Sequence, residues 1–308
     1  MPVLISLSLV SWIPICLLLF VALPARTAVV ACLIGGWILL PPALIPLAGL
    51  PDYGKSTATV LGIILGTLIF QPQRPLAYRF KWYDLPALII TFCPFVSSLT
   101  NDLGAYDGLS SVYKNSFRWI LPYMIGRIYF MDWEGLRGLA IGIAIGGFVL
   151  IPACLFEMKM SGILMPTIYG IGKFEGIRLG GYRPRVFFAT GLELGMWMTA
   201  ASLMATWLWK CGELKRIGPL PMGSVCLPIL LITTVLCRSS GALLLLMMGL
   251  AVLWFSSRFQ KKWLLWMVLV TPLVYYAIRI PNLWQAEQVV SFLNTYFDEE
   301  RAHSLAYR

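Results

Sequence analysis

The sequence predicts an all-α fold, a polytopic transmembrane helix bundle of about ten spans, and three observations predict it. Apolar residues make up 59% of the chain and charged residues only 12%, against roughly 25% charged in soluble domains, and the mean hydropathy is +0.79. Apolar stretches of about 14 to 23 residues recur from end to end, which suits helices in hydrocarbon, where each backbone amide must find its partner inside the chain. The strict alternation of a transmembrane β-barrel is absent from the sequence.

Taken in order, the spans are expected at residues 3–22, 28–49, 57–71, 85–99, 116–130, 137–156, 186–208, 223–237, 240–256 and 263–279. The first has no basic residue ahead of its apolar core, and VALPARTA makes an imperfect cleavage site, so it reads as a retained helix rather than a signal peptide. Stretches 57–71 and 223–237 fall below the roughly 17 residues of a full crossing, and predict half-helices or spans that share a turn with a neighbour. Within 137–156 the run IGIAIGG lets another helix approach closely. Trp82, Tyr83, Trp119, Trp133, Trp207, Trp209, Trp263 and Trp266 stand near span ends, where an interfacial aromatic belt is expected. Residues 1–279 therefore form one integral domain, and 280–308 the beginning of an extracytoplasmic loop.

Orientation follows from the basic loops, because Lys and Arg near span ends stay cytoplasmic. Arg74, Arg79 and Lys81, then Lys210, Lys215 and Arg216, then Arg258, Lys261 and Lys262 fall on one side of the expected spans, and the net charge of +10 adds attraction to anionic lipid. The loop 157–185 and the stretch from 280 onward then face outward. That outer loop nevertheless carries Lys159, Lys173, Arg178, Arg183 and Arg185. Basic residues on that side oppose the orientation rule, which points to an anion held there rather than to snorkelling alone.

Arg238, in LCRSSGALLLL, sits at another outward turn between two apolar runs. Two roles stay open for it: closing a tight hairpin with Ser239, Ser240 and Gly241, or converging with Arg183 or Arg185 on one phosphate, where a planar fork gives bidentate contacts. Glu193, inside the stretch 186–208 and about two helical turns from Arg185, is either the charge partner of a buried arginine or a general base. His303, the single histidine, lies beside Glu299, Glu300 and Arg301 as a base near neutral pH or a solvated residue. Tyr169 and Tyr182 are candidates for saccharide stacking or for belt anchoring. The seven cysteines show no ligand spacing and read as apolar fillers. No Gly-rich phosphate loop follows a strand, and neither ATP nor nucleic acid is an expected partner.

The order GYRPRVFFATGLELG at the start of a span, CRSSGALLLL further on, and DEERAHSLAYR in a following outer stretch resembles the O-antigen ligase and Wzy-type polysaccharide polymerase superfamily, exopolysaccharide polymerases included. The resemblance covers roughly residues 30–308 and implies a membrane glycosyltransferase of the bacterial inner membrane. Such an enzyme moves a polyprenyl-diphosphate-linked glycan to a lipid or sugar acceptor at the periplasmic face, without metal or other cofactor. It implies that Arg183, Arg185 and Arg238 stabilise the diphosphate leaving group; beside them Glu193 is the candidate base for the acceptor hydroxyl, and Arg178, Arg301 and His303 are candidate substrate contacts. Thr190 stands where family members often carry a histidine, and Arg238 is offset by two residues from the family's second arginine. The chain ends near the start of the family's large outer loop, so the resemblance predicts a C-terminally truncated polypeptide in which activity can be lost. A transporter or flippase of an anionic or lipid-linked substrate is the alternative, and predicts paired halves with broken helices that the sequence does not display.

Overall fold

The computed structural model describes residues 2–47, 49–171, 177–178, 180–259 and 263–279. The protein is all-α, 77% helical, with no closed sheet, and divides into two compact units, Met1–Met247 and Met248–Arg308. The first unit opens with α1 (Pro2–Ala22) and α2 (Ala25–Leu39), a hairpin of β1 (Leu44–Leu47) and β2 (Leu50–Gly54), then α3 (Lys55–Phe70) and the short α4 (Gln73–Leu76). Next come α5 (Leu85–Thr100) and α6 (Ala105–Asn115), which runs through a π-helical turn into α7 (Leu121–Tyr129). Then follow α8 (Trp133–Met160), α9 (Leu164–Tyr169), the pair β3 (Ile177–Arg178) and β4 (Gly181–Tyr182), and α10 (Gly191–Lys210). The pair β5 (Arg216–Ile217) and β6 (Leu220–Pro221) leads through a second π-helical turn into α11 (Leu227–Leu236), after which α12 (Ser240–Phe259) begins. In the second unit the described residues comprise the end of α12 and α13 (Trp263–Arg279).

Among the described residues four helices are long and apolar enough to cross a membrane: Val3–Ala22, Trp82–Thr100, Trp133–Met160 and Ser240–Phe259. Four more are apolar but shorter, Ala25–Leu39, Lys55–Phe70, Met222–Leu236 and Trp263–Ile278. Length and composition thus support four crossings where about ten are expected. The stretch 28–49 shows why: α2 stops at Leu39 because Pro41 and Pro42 follow, and proline pushes the residue before it out of the helical region, as Leu40 shows with ψ of 141°. The chain then turns back as the β1–β2 hairpin, so the second half of that apolar run is not helix. Stretch 186–208 starts its helix only at Gly191, and α10, although 20 residues long, carries Glu193, Thr199, Ser202, Thr206 and Lys210.

In the first unit α1 lies against α3, α2 against α3 and α8, and α8 against α10 and α11. Their shared core contains Trp12, Cys16, Val29, Ile63, Leu150, Met198, Ala201 and Leu230, all buried. Small residues permit the closeness: a Cβ on Gly147 of α8 would stand 2.5 Å from Ala201 Cβ of α10.

Helix direction separates two ends of the first unit. α3 is 16 residues long, about 24 Å, and starts at Lys55, which contacts the start of α10, while its far end adjoins α4 and Arg74. At this far end Asp132 caps α8 by accepting the Gly135 N–H at 2.9 Å, and Arg26 of α2 pairs with both Asp132 and Glu134. The Gly135 N–H, and then the Arg26 guanidinium, hold the Asp132 carboxyl below its ordinary 3.8 against the opposing effect of partial desolvation. Arg137 reaches Glu213 at 2.7 Å, which ties the loop after α10 to the same end. There, too, Asp84, 1% exposed, accepts from Tyr123 Oη at 2.6 Å and the Lys81 N–H at 2.8 Å and lies 3.4 Å from Arg127.

Candidate functional site

The opposite end, where α8 finishes and α10 starts, is organised by Glu157. This carboxylate is fully buried. Its Oε2 accepts the N–H groups of Arg185 at 2.8 Å and Val186 at 2.7 Å, and its Oε1 accepts that of Leu164 at 3.0 Å. One side chain in the last turns of α8 thereby fastens both the start of α9 and the arginine segment that precedes α10. Two successive N–H groups converge on a single oxygen where Val186 adopts a left-handed φ of +50°, a conformation that costs a β-branched residue on the order of 1–3 kcal/mol and that only well-made surroundings can hold.

Two stretches far apart in sequence, Gly181 to Arg183 and Arg238 to Ser239, meet here. Arg183 is 8% exposed and its Nη2 donates to Ser239 Oγ at 3.2 Å. Arg238, next to that serine, takes a φ of +53°, and its guanidinium lies over Gly181 so closely that a Cβ there would overlap it. The glycine of β4, two residues before Arg183, is thus what admits the second guanidinium. Thr199 of α10 donates to the Ala242 carbonyl at 3.1 Å and fixes the first turn of α12 beside it.

Arg185 is 6% exposed. Its Nη2 approaches Met165 Sδ of α9 at 3.6 Å, its Nε has no hydrogen-bond partner, and among the described residues no carboxylate pairs with it. A guanidinium kept out of water in this way is costly until an anion reaches it. Glu157, although it accepts the Arg185 N–H, takes only backbone N–H groups and does not compensate the charge of that side chain.

Among the described residues Glu193 pairs with Lys55 and not with an arginine. Its Oε1 lies 3.7 Å from Lys55 Nζ of α3, and its Oε2 accepts the Ala189 N–H at 3.1 Å. Its own N–H is accepted by Thr190 Oγ1 at 3.2 Å, so Thr190 caps the start of α10. Lys55, with a side chain 12% exposed, also stands over the rings of Trp37 at 4.6 Å and Phe188 at 5.6 Å. Thr190, where a histidine was the family expectation, is therefore a helix cap.

No family model, no curated protein and no solved structure matches this chain.

The segments of Arg183 and Arg238 are thus brought together through Ser239 and Gly181, Arg185 lies two residues after Arg183 with its guanidinium against α9, and Glu193 belongs to a separate contact with Lys55. The backbone of Arg178 pairs with Gly181 in the β3–β4 turn. Arg301 and His303, with the whole stretch 280–308, lie outside the described residues. Tyr169 is buried, its ring edge-on to Phe187 at 5.8 Å and its hydroxyl donating to the Leu39 carbonyl at 3.4 Å, and burial raises its phenol above the usual value. It is not free to stack on a sugar, whereas Tyr182 is 39% exposed. Glu157 and Lys55 are the residues that sequence reasoning missed. Glu157 reads as the first residue of a loop and Lys55 as the edge of a short apolar run, and only their partners reveal them. Among the described residues no three His, Cys, Asp or Glu side chains gather as a metal site.

Proposed function

We propose that this protein is a membrane glycosyltransferase of the O-antigen ligase or polysaccharide polymerase kind, which takes a polyprenyl-diphosphate-linked glycan as donor. In this reading the chain is a multi-pass protein of the bacterial inner membrane, its shorter apolar helices complete a set of about ten spans, and the Arg183 end faces the periplasm. The observation that carries the reading is the Arg185 guanidinium, buried with no carboxylate partner among the described residues, two residues from Arg183, whose segment meets that of Arg238. Bond cleavage at the sugar anomeric carbon leaves negative charge on the diphosphate, and fixed guanidiniums in a low-dielectric site stabilise charge that develops there. Glu193, 31% exposed on its side chain, is the group available to take the acceptor hydroxyl's proton.

The test is binding of undecaprenyl diphosphate to the protein in phosphatidylcholine nanodiscs. Arg183→Ala and Arg185→Ala are each expected to weaken binding about 10- to 100-fold, the value of one hydrogen bond to a charged group, with an unchanged unfolding midpoint. Equal affinity for undecaprenol, which has no phosphate, would overturn the assignment. A vesicle assay in which the lipid diphosphate crosses the bilayer without glycan transfer would favour a flippase instead.

A further inference from the structure

We infer that Glu157 is the positioning residue of the arginine site: its carboxylate sets where the Arg183 and Arg185 guanidiniums stand, so that a lipid-linked diphosphate meets them prearranged. The inference rests on the diphosphate reading above and adds to it a residue that touches no substrate.

Successive N–H groups that converge, as those of Arg185 and Val186 do, make a concave anion seat of the sort that elsewhere binds phosphate. Here the seat is filled from within by Glu157 Oε2, at 2.8 and 2.7 Å. Three backbone donors satisfy the carboxylate, and among the described residues no cationic side chain pairs with it. The protein thus spends an acidic group on the backbone of the arginine segment, while among the described residues no carboxylate pairs with the Arg185 guanidinium and its Nε has no hydrogen-bond partner. A salt bridge between Glu157 and Arg185 would do the reverse, holding the side chain but cancelling its charge. Asp84, the other buried carboxylate among the described residues, shows that contrast, since it lies 3.4 Å from the Arg127 guanidinium as well as accepting from Tyr123. Anchorage at Leu164 adds the third point: α9, which brings Met165 Sδ to Arg185 Nη2 at 3.6 Å, is held by the same carboxylate. One residue therefore fixes the backbone of the arginine segment and the wall against which one guanidinium lies.

The experiment uses the full chain in phosphatidylcholine nanodiscs, with Glu157→Gln, Glu157→Ala and Asp84→Asn, and two readouts. The first is modification of Arg183 and Arg185 by phenylglyoxal, followed by mass spectrometry; the second is binding of undecaprenyl diphosphate. Glu157→Ala is expected to speed modification of both arginines about tenfold or more, the factor that goes with losing a hydrogen bond to a charged group, and to weaken diphosphate binding by up to about 100-fold, as misplacement by about 1 Å can. Glu157→Gln, which keeps the shape and one acceptor oxygen, is expected to fall between wild type and Glu157→Ala. Asp84→Asn lowers the unfolding midpoint without changing either readout. Unchanged labelling and binding in both Glu157 variants would overturn the inference, as would Asp84→Asn accelerating labelling to the same degree, because the effect would then be general loosening. If the wild type fails to bind undecaprenyl diphosphate, the diphosphate reading falls, and labelling still decides whether Glu157 positions the arginines.

Discussion

Replacing Gly181 by alanine separates the placement of the Arg238 guanidinium from the folding of the bundle. The new Cβ would overlap Nη1, Cζ and Nη2 of Arg238, Nη1 most closely, while ordinary contact begins at 3.4 Å, so the guanidinium must retreat by more than about 1 Å to restore van der Waals separation. The obstructing atoms are the far end of a long side chain rather than backbone, and Gly181 is not among the residues with a left-handed φ. Alanine therefore fits the strand without strain, and stability should change by less than about 0.5 kcal/mol. A charged group displaced by about 1 Å loses up to 100-fold in effect, or about 2.7 kcal/mol. Isothermal titration with undecaprenyl diphosphate, run beside thermal unfolding of the same samples, reads both quantities. Wild-type affinity in a folded Gly181→Ala protein would show that the Arg238 position is irrelevant to binding, and a collapse of the unfolding midpoint would show that the turn bears on the fold instead.

Gly147→Val should destabilise the first unit by about 1–3 kcal/mol through overpacking against Ala201, whereas Gly138→Ala, with open space around it, should stabilise by about 0.5–1 kcal/mol; thermal unfolding in detergent distinguishes the two signs. Glu193→Gln leaves the Lys55 ammonium without its counter-charge and should cost about 1–3 kcal/mol, with Lys55→Met in the double variant recovering part of it, as a double-mutant cycle would record. Asp132 has a carboxyl pKa lowered by the fold, so its contribution is complete above its ordinary 3.8 and disappears as pH falls through the lowered value. Unfolding midpoints measured from pH 6 downward should therefore converge between wild type and Asp132→Asn in acid, and a constant gap would contradict the cap.

Much of the helical layout is legible from apolar runs alone. The run 57–71 is α3 (Lys55–Phe70), and the run 240–256 is α12 (Ser240–Phe259). What hydropathy conceals is where a run is interrupted by residues that are themselves apolar. Pro41 and Pro42 extend the run after α2 in hydropathy yet end its helix, and the β1–β2 hairpin takes the remainder. Helix count is likewise set by how many polar side chains a segment of sufficient length can carry, which is why α10 is not counted with the four. At the site, Arg183, Arg185 and Arg238 stand out because charge is rare in such a chain. Their partners do not: Glu157 acts through backbone N–H groups that have no sequence signature, and Gly181 matters through the Cβ it lacks. Glu193 was legible as a charge in an apolar setting, but pairing with Lys55 depends on how α3 lies beside the start of α10, which no local pattern encodes.

Val186 and Arg238 both hold side chains in a backbone conformation that glycine or asparagine would occupy more comfortably. A glycine substitution at either site therefore mixes two effects of opposite sign. Alanine at 238 removes the guanidinium and keeps the conformational tension, glycine removes both, and the thermal difference between them isolates how much tension the turn stores. A glycine variant that melts higher while losing ligand affinity would reveal that this corner of the molecule trades resilience for the privilege of displaying a cation.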